Sequence, residues 1–146
     1  MSVKKLWTVL WLLWGSHAVA DQVQSFGAYQ VHYNTFESAF LTPDIANQYG
    51  FTRSKGQALL NVAVTTQAAG QLPQSQRMIV TGTVTNLLGQ IVPLSFKTID
   101  EGDAVYYIAA FTKTDDEILK FQVHARPNAN AAPMTVNFQR HFYVDK

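Results

Sequence analysis

Apolar residues alternate with polar ones from Gln57 almost to Val144, and turn residues interrupt the alternation at roughly ten-residue intervals. A period of two places successive side chains on opposite faces of an extended chain, so this pattern excludes a helical domain. Gln57–Thr66 (QALLNVAVTT) sets Leu60, Val62 and Val64 on one face. Arg77–Asn86 (RMIVTGTVTN) does the same with Met78, Val80, Gly82 and Val84. Ile91–Thr98 contains Pro93, which has no N–H to give a ladder and so belongs at a sheet edge or bulge. Ala104–Phe111 is apolar on both sides and is expected to be a central strand. Ile118–Ala125 turns Leu119, Phe121 and Val123 inward, and Met134–Val144 closes the series.

Upstream, Phe26–Phe36 also alternates, with Tyr29, Val31 and Tyr33 opposite Gln30, His32 and Asn34. One helical interruption follows. Thr42 supplies an N-cap hydroxyl, Pro43 a first helical residue, Asp44 an acid in the first turn and Gly50 a left-handed stop. Together these segments predict an all-β, immunoglobulin-like antiparallel β-sandwich of about seven strands with one short helix near residues 43–49. All three Trp lie before residue 15 and there is no Cys, so Tyr and Phe must fill the centre of the sandwich.

The first twenty residues read as a separate unit. Lys4 and Lys5 precede the apolar run Leu6–Trp14, and Ala18-Val19-Ala20 offers small residues for a peptidase. This is the pattern of a cleavable secretory signal, with the cut expected after Ala20 and one sandwich domain over residues 21–146. Leu6–Trp14 as a helix would rise about 13 Å, short of the roughly 30 Å hydrocarbon core. With no Cys, a lipid anchor through an N-terminal thiol is excluded, and so are disulfides and thiolate chemistry. Two of the 11 Lys and Arg are Lys4 and Lys5, which leaves nine basic side chains against 10 acidic ones. No basic face is implied, so nucleic acid is a poor partner.

Several phrases carry a resemblance. "FGAYQVHYNTFESAFLTPDIANQYGFTRSKG", "TNLLGQ", "EGDAVYYIAAF" and "FYVD" stand in the order found in a family of small, uncharacterised secreted proteins of Gram-negative bacteria, defined as a domain of unknown function. The resemblance covers Phe26 to Asp145. It implies a β-sandwich and a periplasmic address, and it brings no catalytic residues. Its recurring motifs fall here on His32-Tyr33-Asn34, Tyr49-Gly50, Arg53-Ser54 and Asn86 to Gln90.

The candidate chemistry is sparse. His32, His124 and His141 lie in separate predicted strands without ligand-pair spacing, so no metal site and no cofactor is expected. Ser54, His32 and Asp44 can be drawn as a triad, but no Gly-x-Ser-x-Gly elbow supports them. Tyr49, Arg53 and Lys55 form a cationic, aromatic corner beside the helix, able to hold a carboxylate, a sugar or a peptide. The competing reading has Tyr49 fastening the helix and Arg53 satisfying its terminal carbonyls. Leu87 and Leu88 are expected to fold back over the sheet end; left exposed, they would suit a partner. The sequence therefore favours a periplasmic, non-catalytic binding or assembly-accessory protein, working through loops or a sheet edge on a protein or peptide partner. The edge would be the Pro93 strand or the terminal strand. The alternative is a small metal-binding or hydrolytic protein using His32 and its neighbours.

Overall fold

The computed structural model describes residues 22–144, so the expected signal segment and its cut after Ala20 lie outside the described residues. The elements are β1 (Gln22–Phe26), β2 (Tyr29–Glu37), a 3-10 turn (Ser38–Phe40), α1 (Pro43–Tyr49), β3 (Gln57–Thr66), β4 (Gln74–Gln76) and β5 (Ile79–Asn86). They continue with β6 (Ile91–Leu94), β7 (Phe96–Asp100), β8 (Val105–Thr112), β9 (Glu117–Arg126) and β10 (Met134–Phe142). One sheet runs β1-β2-β3-β8-β7, with β4 also on β3; the other runs β10-β9-β5-β6. Every pairing is antiparallel. No helix among the described residues is long and apolar enough to cross a membrane.

The two sheets face each other as the alternation requires. Val31, Leu60, Val62 and Val64 of the first meet Phe121, Val123 and Val136 of the second in one buried cluster. Aromatic rings fill the centre of the sandwich. Tyr33 packs on Phe138 at 4.6 Å between ring centroids, Phe138 stacks on Phe121 at 4.8 Å, and Phe111 meets Phe121 edge-on at 5.0 Å. Such pairs add about 0.5–1.5 kcal/mol each beyond the area they bury.

The outer face of the first sheet carries a second core. Leu59 and Ile108 point away from the sandwich, and Leu41, Ala46 and Phe51 from the helical segment cover them, together with Ile99 and Tyr106. This explains why β3 is buried along both faces (Leu59 and Leu60 alike). β8 is interior in the sheet and buried on both sides, as its sequence requires. The helix starts and stops where its caps place it: the Thr42 hydroxyl accepts from the Ile45 N–H at 3.3 Å, and Gly50 sits at φ 74°.

The strand number departs from seven in three places. β1 and β4 are short and mostly polar, so no alternation announces them; both lie at margins where no second apolar face is needed. The run from Ile91 to Thr98 is two strands, because the chain leaves the second sheet at Ser95 and enters the first. Pro93 is in the edge strand β6, as expected. The Asn86 N–H bonds the Gln90 carbonyl at 3.1 Å, which fixes the alternation of the hairpin ladder and places Thr83 and Pro93 at a non-hydrogen-bonded pair. Pro93 therefore aims its missing donor outward and blunts that edge.

Candidate functional site

Of His32, Tyr49, Arg53 and Lys55, the residues marked for binding in the sequence, His32 stands apart from the helix end. His32 is on β2, where its ring is hydrogen-bonded with the Thr65 hydroxyl at 2.9 Å. Tyr49 ends α1 and packs against the second core. Its backbone carbonyl is bonded from β7, which stands three strand spacings from β2, or about 14 Å. Arg53 is exposed and its guanidinium donates to the Ala39 carbonyl at 3.1 Å; Lys55 is exposed. Ser54 is tied to Ser38, whose buried hydroxyl donates to the Ser54 carbonyl at 2.8 Å and accepts from its N–H at 2.9 Å.

The carbonyls at the helix end do recruit a cation, but it is Lys97. Its ammonium donates to the Tyr49 carbonyl at 2.6 Å and the Gly50 carbonyl at 3.4 Å, and lies 5.1 Å from the Phe51 ring centroid. Burial raises the Tyr49 phenol above its ordinary pKa, and the nearby Glu101 carboxylate adds to the shift. Burial likewise raises Glu101. The corner is thus a helix end closed by a lysine from the neighbouring sheet. The sequence marks Lys97 only as a charge flanking Pro93 that guards the strand edge, and the link to the helix end, which spans almost fifty residues, has no local signal.

Lys113 also acts across the fold. It is buried at 4% exposure, ion-paired to Glu37 at 2.7 Å and bonded to the Tyr143 carbonyl. It thereby joins the ends of β2, β8 and β10. His124 is hydrogen-bonded with Thr135 at 2.9 Å and Gln122 at 3.2 Å, and His141 pairs with Asp116 at 2.5 Å. Among the described residues no three His, Cys, Asp or Glu gather as a metal site.

The surface that stands out is the β5–β6 turn. Asn86 ties it internally: its Oδ1 accepts from the Leu88 N–H and the Gln90 N–H, both at 3.0 Å, and its Nδ2 donates to Gln90 Oε1 at 2.6 Å. Gly89 completes the turn at φ 83°, and its N–H donates to the Asn86 carbonyl at 3.0 Å. With the polar groups of the turn directed at Asn86, the leucines point out. Leu87 is 65% exposed and Leu88 86%, which corrects the expectation that they fold back over the sheet. Ile91 at 65% and Val92 at 56% are also exposed, on opposite faces of β6.

A cavity of about 220 Å³ opens beside this turn, lined by Leu87, Leu88 and Ile118 together with Thr114, Asp116 and Glu117. Asp116 holds φ 56° in the neighbouring turn, and Glu117 Oε1 accepts from the Thr114 N–H at 3.1 Å. His141 stacks on Tyr143 at 4.5 Å, and Tyr143 is exposed. A larger concavity of about 580 Å³ lies on the open face of the second sheet, where the exposed Ile91 joins Thr83, Thr85, Lys120, Gln122 and Asn137. It is the solvated polar face that an antiparallel sheet ordinarily shows.

Fold and surface define a two-sheet sandwich with a covered first sheet, a bare second sheet and an apolar loop end. The chain belongs to the family described as Domain of unknown function (DUF4426), which matches residues 23–145. It is similar to a crystal structure of a protein of that family from Pseudomonas aeruginosa, at 34% identity and TM-score 0.72, over 86% of this chain and 97% of that one. It is also similar in fold to FetP of uropathogenic Escherichia coli, which was produced in the periplasm of E. coli. There the identity is 12% and the TM-score 0.63, over 88% of this chain and 97% of that one. A copper-bound variant of FetP matches at 10% identity and TM-score 0.62, over 86% and 97%. No curated protein matches the chain.

Proposed function

We propose that this chain is a periplasmic, non-catalytic binding or assembly-accessory protein, with a signal over residues 1–20, a sandwich over 21–146, and a protein partner held at the Leu87–Leu88 loop end. The observation that carries the reading is the outward display of Leu87 and Leu88 on a turn whose backbone is bonded to Asn86. Large apolar side chains held out in water contribute nothing to the fold. They gain about 25 cal/mol for each Å² that a partner covers. A turn already fixed by its own hydrogen bonds loses little conformational freedom on docking. The Pro93-blunted β6 edge directs contact to side chains rather than to an added strand. β10 is the other candidate edge, since one of its sides pairs with no strand among the described residues. The periplasmic address rests on the N-terminal sequence pattern and on the likeness to FetP. The metal-binding or hydrolytic alternative has less support: His32 is engaged with Thr65, and the copper described for FetP has no gathered ligand set to meet among the described residues here.

A pull-down from periplasmic extract tests the reading, using the full chain after secretion. Leu87→Ser/Leu88→Ser is expected to lose the partner while the melting temperature holds. Tyr49→Ala/Arg53→Ala serves as the comparison arm for the helix corner and is expected to keep it. Retention of the partner by the Leu87/Leu88 variant, with loss in the other, would move the site to the corner.

A further inference from the structure

We infer that the segment this loop end accepts carries apolar side chains next to a Lys or Arg. The inference rests on the binding reading above and adds the chemistry of the partner. The cavity beside the exposed leucines is lined by two carboxylates, Asp116 and Glu117, and by no Lys or Arg. A third acid, Asp115, lies in the same turn, where its carboxylate accepts from the Val144 N–H at 2.9 Å. The facing groups are few. His141 from β10 meets Asp116, and the Thr114 N–H meets Glu117. Lys113 is turned away into its pair with Glu37. Leu87 and Leu88 form one wall of the cavity and acids the other, so an incoming side chain must be apolar along its length and cationic at its tip. A Lys or Arg stem covers apolar surface while its head stays at the charge. Neighbouring apolar residues of the same segment would cover Leu87, Leu88 and Ile118. An acidic segment would bring like charges together at the rim.

The test separates this inference from the reading beneath it. A phage-displayed library of random short peptides is selected on the full chain and counter-selected on Leu87→Ser/Leu88→Ser. Peptides combining apolar residues with Lys or Arg are expected. One such peptide, made synthetically, should bind Asp116→Asn/Glu117→Gln about fivefold more weakly at low salt, the scale of effect that losing exposed charge pairs has. The Asn and Gln replacements keep the acceptor oxygens that His141 and Thr114 use, and Asn tolerates the positive φ at 116. Enriched peptides that are uncharged or acidic, yet still dependent on the leucines, overturn the cationic preference and leave the binding reading standing. No enrichment over the leucine variant overturns both. If the double substitution lowers the melting temperature, Leu88→Ser alone replaces it as the counter-selection target.

Discussion

The helix corner and the β5–β6 turn invert what their sequences announce. The corner is dense in chemistry (Tyr49, Arg53, Ser54, Lys55), yet its polar groups are largely absorbed by the fold. Lys97 closes the helix carbonyls, Arg53 holds Ala39, and the Ser38 hydroxyl fixes Ser54. The turn is plain in sequence, Asn-Leu-Leu-Gly-Gln, yet it leaves its two leucines to the solvent. The contrast shows that a side chain's reactivity says less about its role than whether the fold already uses it. Polar groups near a helix end have backbone partners within reach, whereas two leucines on a turn saturated by Asn86 have none.

If the corner is structural, damage there must appear as lost stability. Phe51→Ala opens a void in the second core and is expected to cost about 3 kcal/mol, read by urea unfolding. A cost near zero would mean that the helical segment is only loosely applied to the sheet. Gly50→Ala comes next. Its φ of 74° disfavours a Cβ by about 1–2 kcal/mol. The added carbon would also stand 2.7 Å from the Lys97 ammonium, which must move.

Glu101 offers a smaller, pH-dependent effect. Burial raises its carboxyl above the ordinary value of 4.5, so the folded state binds the proton more tightly than the unfolded state. Stability should therefore fall as pH rises through the window starting at 4.5, and Glu101→Gln should remove that fall. Melting curves for the two proteins should diverge in the variant's favour across the window; parallel curves would remove Glu101 from the account. The smallest effect on stability is expected for Leu87→Ser/Leu88→Ser, within about 0.5 kcal/mol, as for surface residues that the fold does not use. A large loss there would place the turn in the structural column beside the corner.

Much of the sandwich was legible because alternation reports burial directly. β3 has the bounds its sequence predicts, β9 turns Leu119, Phe121 and Val123 inward, and the helix obeys Thr42, Pro43 and Gly50. β1 and β4 escaped because both are short and mostly polar, with Val23 exposed, and a marginal strand is held largely by its backbone ladder. The change of sheet at Ser95 escaped because a strand that crosses between layers keeps an extended backbone throughout. The candidate site was half legible. Asn86–Gln90 was marked, but which way its leucines point depends on hydrogen bonds to a single Asn side chain, which periodicity does not report. Lys97 and Lys113 act across the fold on residues distant in sequence, and no local pattern carries that.

The contrast between corner and turn is tested most directly by a photo-activated crosslinking residue placed at position 88 in one protein and at position 53 in another, each illuminated in living cells. The account predicts a discrete crosslinked adduct from position 88, abolished by Leu87→Ser, and none from position 53. An adduct from position 53 alone would contradict it and return the binding surface to the helix corner.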